Sequence, residues 1–113
     1  LIINKNTMIK KVSEEVKTSL KKEYGDKLKS LILPMDDNGT EELEVLAVVP
    51  SRNVVGQYLK YLNQDPKKAQ EILVKACLVT NKEEVLADDG LFYASASLIG
   101  ELIPIRQGKF GTV

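Results

Sequence analysis

The first part of the chain has apolar residues at every fourth position, the spacing that places side chains on one face of an α-helix. The row comprises Met8, Val12, Val16, Leu20 and Tyr24. Lysine and glutamate fill most positions between them, and Gly25 is the kind of residue that ends a helix. The pattern predicts a helix over residues 8–24 whose apolar stripe packs on another part of the protein.

Two short apolar runs follow, and each ends at or next to a proline. They predict strands over residues 28–35 and 42–49, because the second run is rich in β-branched residues and a proline fits the end of a strand better than its interior. Asn38-Gly39 lies between the runs, and this dipeptide is the strongest short signal for a tight hairpin turn. The two strands are therefore predicted to form an antiparallel hairpin.

Beyond Pro50 the apolar spacing becomes helical again. Ser51 is a candidate N-cap for a helix over residues 52–63, and Asp65-Pro66 is a start signal for a second helix that runs to about Val79. Asn81 and Glu84 have capping-box spacing, which predicts a turn or a short helix near 82–86. A last helix opens at Asp88 or Asp89 and stops at Pro104, and residues 105–113 show no period and are expected to form a flexible tail.

These elements predict an α+β fold: an N-terminal helix, a two-stranded antiparallel β-hairpin and three C-terminal helices. At 113 residues the chain fits one domain, spanning residues 1–113. Met8 is a candidate native start, in which case residues 1–7 are non-native or disordered. No apolar run has the length of a membrane span or of a signal-peptide core, so we expect a soluble intracellular protein without a membrane partner.

The composition argues against an enzyme. The chain contains no histidine, which removes the commonest general base and metal ligand, and its single cysteine excludes an internal disulfide. Cys77 falls on the apolar face of its helix and is predicted to be a buried thiol. The acids at 36–37 and 41–44 lack the spacing of a calcium-binding loop. We therefore expect no catalytic, cofactor or metal site.

The charges balance overall but are segregated along the chain. Sixteen basic residues match sixteen acidic ones, and the net charges of successive blocks are +4 (1–33), −5 (34–50), +3 (51–75), −4 (76–104) and +2 (105–113). A neutral chain of this kind is not expected to bind nucleic acid. The alternating blocks either pair within one fold or between copies, and we expect a weak homo-oligomer.

Several motifs occur in an order typical of a known group of proteins. The hairpin ends in Pro50-Ser51-Arg52, and a helix with a Tyr/Leu-rich face runs from Val55 to Leu62. The second helix ends in Ala76-Cys77-Leu78-Val79, and an acidic stretch from Glu83 to Asp89 leads into Leu91-Phe92-Tyr93-Ala94 and a final Gly100-Glu101-Leu102-Ile103. From about Lys10 to Ile105 the chain resembles the small tail assembly chaperones of long-tailed bacteriophages and prophages.

The resemblance implies a non-enzymatic protein that binds the tape-measure protein, or another phage tail protein, during tail morphogenesis. Another phage or prophage structural protein, such as a head–tail adaptor, is the alternative. Binding a helical partner needs an accessible apolar surface or a place for close helix approach. The candidate partner-binding residues are Tyr58, Tyr61, Ala94, Ala96 and Gly100. The alternative for the three small residues is that they pack on another helix within the domain.

Overall fold

The computed structural model describes residues 8–113, and the expectation for residues 1–7 lies outside them. The strands are β1 (Met8–Lys10), β2 (Leu28–Pro34) and β3 (Glu41–Val48). The helices are α1 (Glu14–Tyr24), a 3₁₀ turn (Gly25–Lys27), α2 (Arg52–Tyr61), α3 (Pro66–Cys77), α4 (Lys82–Ala87) and α5 (Asp89–Glu101). The α+β class predicted from the sequence is therefore confirmed.

The predicted hairpin is present and forms most of the sheet. β2 and β3 pair in antiparallel register from Leu28↔Val48 to Pro34↔Glu42. In the turn, an Asp36 carboxylate oxygen accepts a hydrogen bond from the Thr40 backbone N–H at 3.0 Å. Gly39 has a φ of 69°, in the left-handed region that glycine adopts without strain. The local turn chemistry thus fixes which residues of the two strands face each other.

The prediction of a helix over residues 8–24 and of a sheet with two strands is wrong at the start of the chain. Met8–Lys10 forms a third strand, parallel to β3, and the strand order is β1-β3-β2. The helix begins only at Glu14, because the Ser13 side chain accepts a hydrogen bond from the Val16 N–H at 3.2 Å and caps it there. Met8 and Val12 therefore share the four-residue spacing of the apolar row but lie outside the helix.

The edge of β3 that β1 occupies is completed by the segment that follows α3. Ala47 forms a bridge with Leu78, and the Val79 N–H donates to the Leu46 carbonyl oxygen at 2.8 Å. The Leu46 N–H in turn donates to the Thr80 hydroxyl oxygen at 2.9 Å. β3 is therefore the central strand, with backbone partners along both edges.

The main core lies between one face of this sheet and the C-terminal helices. Alternate residues of β2 and β3 point into it, and they meet buried side chains of α3, α4 and α5. The buried residues at its centre include Leu33, Val45, Leu73, Cys77, Val85 and Ile99. Four helices follow the hairpin rather than three, because the segment proposed as a turn or short helix near 82–86 is the helix α4.

Three helix N-caps predicted from the sequence are formed in the structure, and a fourth differs. Ser51, Asp65 and Asp88 each accept a hydrogen bond from the backbone N–H three residues later, as predicted. Asn81 departs from the predicted capping box. Its backbone is left-handed, and its side-chain amide donates to the Glu84 carboxylate at 3.1 Å instead of capping a backbone N–H. The last helix ends at Glu101, three residues before Pro104.

A buried hydroxyl in α5 gives a test of the core. The Ser95 side chain is fully buried, and its Oγ has no hydrogen-bond partner among the described residues. Because an unpaired buried hydroxyl is costly, Ser95→Ala is expected to raise the free energy of unfolding by about 1 kcal/mol. Urea unfolding of Ser95→Ala and of Ser97→Ala, an exposed serine on the same helix, measures the effect. Equal changes in both variants would attribute the gain to helix propensity alone.

Candidate functional site

The helix α2 is held to the rest of the protein along one side only. It starts at Arg52 because the Ser51 hydroxyl accepts a hydrogen bond from the Val54 N–H at 3.2 Å. Val54 and Tyr58 pack against the core, and the helix contacts α3 along its length. No residue of α2 is fully buried. Most of its surface is therefore accessible to another molecule.

Two leucines are the principal apolar side chains at this surface. Leu59 is 57% exposed and Leu62, which caps the end of α2, is 37% exposed. Burial of a large aliphatic side chain against a partner lowers the free energy, so these two leucines are candidate contact residues. The segment is also basic, since α2 contains no acidic residue and α3 opens with Lys67 and Lys68.

The two candidate tyrosines occupy different positions in this part of the fold. Tyr58 is half-buried against the core, where it helps to hold α2 in place. Tyr61 is half-buried near the end of α2, with the Lys68 ammonium 4.3 Å from its ring centre and the Lys60 ammonium at 5.5 Å. Both distances lie within the range of cation–π attraction. Tyr61 is therefore part of the basic, accessible surface, whereas Tyr58 mainly supports it.

The three small candidate residues of α5 differ in how far they are buried. Ala96 is only 4% exposed and belongs to the core, and Ala94 is half-buried against it. A Cβ placed on Gly100 would lie 4.0 Å from a methyl group of Leu73 in α3. Ala96 and Gly100 thus face other parts of the same domain, whereas Ala94 is only partly covered.

The single thiol and the grouping of possible metal ligands bear on catalysis and metal binding. Cys77 is buried, and desolvation raises the pKa of its thiol to about 11, so it stays protonated at neutral pH. Among residues 8–113 there is no group of three or more side chains that could hold a metal ion. Within the same residues, no helix is both long and apolar enough to cross a bilayer.

A buried ion pair beneath α1 was not anticipated from the sequence. Glu44 lies in the middle of β3 and is only 6% exposed, on the face opposite the main core. Its carboxylate accepts hydrogen bonds from the Ser30 hydroxyl, from the Lys17 ammonium at 3.0 Å and from the Val12 N–H at 3.0 Å. The one available signal was its place between Leu43 and Val45 in an otherwise apolar strand.

The hydrogen bonds determine the protonation state of Glu44. Burial of the carboxyl group opposes ionisation and would raise its pKa. The hydrogen bonds from Ser30, Lys17 and Val12 outweigh that effect, so the pKa of Glu44 lies below its ordinary value. The same pairing raises the pKa of Lys17. Both groups are therefore charged at neutral pH, and they join α1 to the sheet.

A cleft of about 350 Å³ borders this ion pair between α1 and β2. Lys17, Lys21 and Lys29 contribute to its walls, and Leu46 contributes an apolar surface. Because the Lys17 ammonium is already paired with Glu44, the cleft has no convergent set of free polar groups of the kind that defines a ligand site.

Comparison with known proteins extends the description of the fold but not of the site. No protein-family model matches the chain, and no curated protein matches it. A solved structure, that of the uncharacterised protein rbstp2171 from Bacillus stearothermophilus, is similar with a TM-score of 0.63 and 22% sequence identity. The match covers 85% of this chain and 99% of that one. At this identity the similarity concerns the fold alone.

The ion pair predicts an acid-sensitive attachment of α1. Because the pKa of Glu44 is lower in the folded state than its ordinary value of 4.5, the stabilisation is complete above that pH and is lost as the pH falls through the folded value. Glu44→Gln is expected to lower the free energy of unfolding by about 1–3 kcal/mol at pH 7. Urea unfolding between pH 3 and pH 7 measures both effects.

Glu42→Gln is the matched control, since Glu42 is a half-buried glutamate of the same strand whose side chain forms no hydrogen bond within residues 8–113. It should leave the stability at pH 7 nearly unchanged. If the two variants lost the same stability, or if Glu44→Gln retained the full acid sensitivity of the wild type, the ion pair would not carry the attachment.

Proposed function

We propose that this protein is a non-enzymatic, tail assembly chaperone-like protein of a long-tailed bacteriophage or prophage, and that it binds the tape-measure protein during tail morphogenesis. The ordered motifs between about Lys10 and Ile105 support the proposal from the sequence. The exposed apolar side chains of α2 support the proposal from the structure, since a protein that acts by association needs apolar contact area.

The observation that carries the proposal is the exposure of apolar side chains on α2. A tape-measure protein is a long, mostly helical chain whose apolar stripes would aggregate without cover. Laying such a stripe against Leu59 and Leu62 would remove apolar area from water on both partners. Because α2 is attached along one side only, a partner helix can reach these leucines without any unfolding of the domain.

The experiment is co-expression with the tape-measure protein of the same phage or prophage. The wild-type protein is expected to keep that partner in the soluble fraction and to co-purify with it. Leu59→Asp should abolish co-purification, because it places a charge where apolar contact is required. Tyr93→Asp is the matched control, since Tyr93 is 56% exposed, nearly the same as Leu59, but lies on α5.

Three outcomes would contradict the proposal or part of it. A tape-measure protein that stays insoluble with the wild-type chain present would reject the chaperone role. If Leu59→Asp and Tyr93→Asp reduced co-purification equally, α2 would not be the binding surface. Recovery of this protein from purified virions would instead indicate a structural or adaptor protein, since a chaperone leaves the finished particle.

Weak self-association is a further part of the proposal, because repeated copies would cover a long partner. The segregated charge blocks favour contacts between unlike surfaces of neighbouring copies. Sedimentation velocity over a hundredfold range of concentration is expected to show a reversible shift to larger species. A single monomeric species at every concentration would contradict it.

A further inference from the structure

A glycine in the middle of α2 has no explanation within the described chain. Gly56 lies at the centre of the helix Arg52–Tyr61, although glycine is among the poorest helix formers. Its backbone is not left-handed, so the conformation does not require glycine. A Cβ placed on Gly56 would meet no atom within 4 Å, so packing within residues 8–113 does not require it either.

Gly56 belongs to a row of exposed residues along one face of the helix. Arg52, Gly56, Leu59 and Asn63 follow each other at steps of three or four residues, and all four are exposed. Val54 and Tyr58, which contact the core, lie on another side of α2. The row therefore combines a protruding apolar side chain with a flat position beside it, where the backbone of another helix can approach closely.

The charged residues of α2 itself are both basic. Arg52 and Lys60 flank Gly56 on α2, and neither forms an ion pair among the described residues. Asp65, the nearest acid along the chain, accepts a hydrogen bond from the Lys68 N–H at the start of α3. A partner that lies along the row would thus meet two cations that have no ion-pair partner among the described residues, which favours acidic side chains on that partner.

We infer that the face formed by Arg52, Gly56, Leu59 and Lys60 is the docking site for an amphipathic helix of the tape-measure protein whose apolar stripe is flanked by aspartate or glutamate. The inference rests on the proposed function and specifies its partner chemistry. The partner helix crosses α2 at Gly56, its apolar side chains cover Leu59, and its carboxylates pair with Arg52 and Lys60.

Two substitutions separate binding from folding, because each should stabilise α2 while it damages the docking site. Gly56→Ala raises helix propensity but adds a methyl group at the crossing point. Arg52→Glu places an acid in the first turn, where the helix dipole favours it, but replaces one of the two cations with an anion. Gln57→Ala is the matched control, since Gln57 is exposed on the same helix and outside the row.

Binding is measured by fluorescence anisotropy against overlapping synthetic segments that cover the helical part of the tape-measure protein, and melting temperatures are measured in parallel. The wild type should bind segments whose apolar stripe is flanked by acids, and more weakly as salt increases. Gly56→Ala and Arg52→Glu should each melt at or above the wild-type temperature and bind these segments about tenfold more weakly, a loss of about 1.4 kcal/mol. Gln57→Ala should bind as the wild type does.

The failures of the two proposals are distinguishable. If the wild type binds segments but Gly56→Ala and Arg52→Glu bind them equally well, the docking site is overturned and the proposed function stands. Preference for segments flanked by lysine or arginine would also overturn it. If the wild type binds no segment and does not retain the full-length tape-measure protein, the proposed function fails and the inference fails with it.

Discussion

The structure depends on the burial of one strand on both of its faces. Five consecutive residues of β3, Leu43 to Ala47, are buried, so the strand must be covered by two layers rather than one. α3 and α5 cover the face that carries Leu43, Val45 and Ala47 with a close-packed apolar core. The opposite face carries Glu44 and Leu46, and it is covered by the less buried helix α1.

The carboxylate of Glu44 determines how the second layer is attached. A charge can remain in a buried strand only when its hydrogen-bonding capacity is satisfied, and Ser30, Lys17 and Val12 satisfy it here. These three groups come from β2, from α1 and from the linker that follows β1, so one buried anion connects the parts of the N-terminal half. α1 itself buries no residue completely, which makes the polar contacts unusually important for its position.

The placement of α2 follows from what the other helices already cover. α3, α4 and α5 supply the buried residues of the main core, and α2 packs on α3 with Val54 and Tyr58 towards the core. Leu59, Leu62 and Gly56 remain on the surface. α2 thus contributes only partly buried side chains to the core while Leu59 and Leu62 stay exposed.

The sequence alone determined the elements whose signals are local. Turn chemistry at Asn38-Gly39 and the caps at Ser51, Asp65 and Asp88 predicted the hairpin and three helix starts, because each signal acts within a few residues. Other features depend on contacts between residues far apart in the sequence, so only the tertiary structure decided them. The strand Met8–Lys10 forms by pairing with Glu41 to Leu43, more than thirty residues away along the chain. Three residues are too few to show a periodic pattern that would have predicted it. The buried state of Glu44 and the internal packing of Ala96 likewise depend on which helix covers each face, and no spacing along the chain specifies that choice.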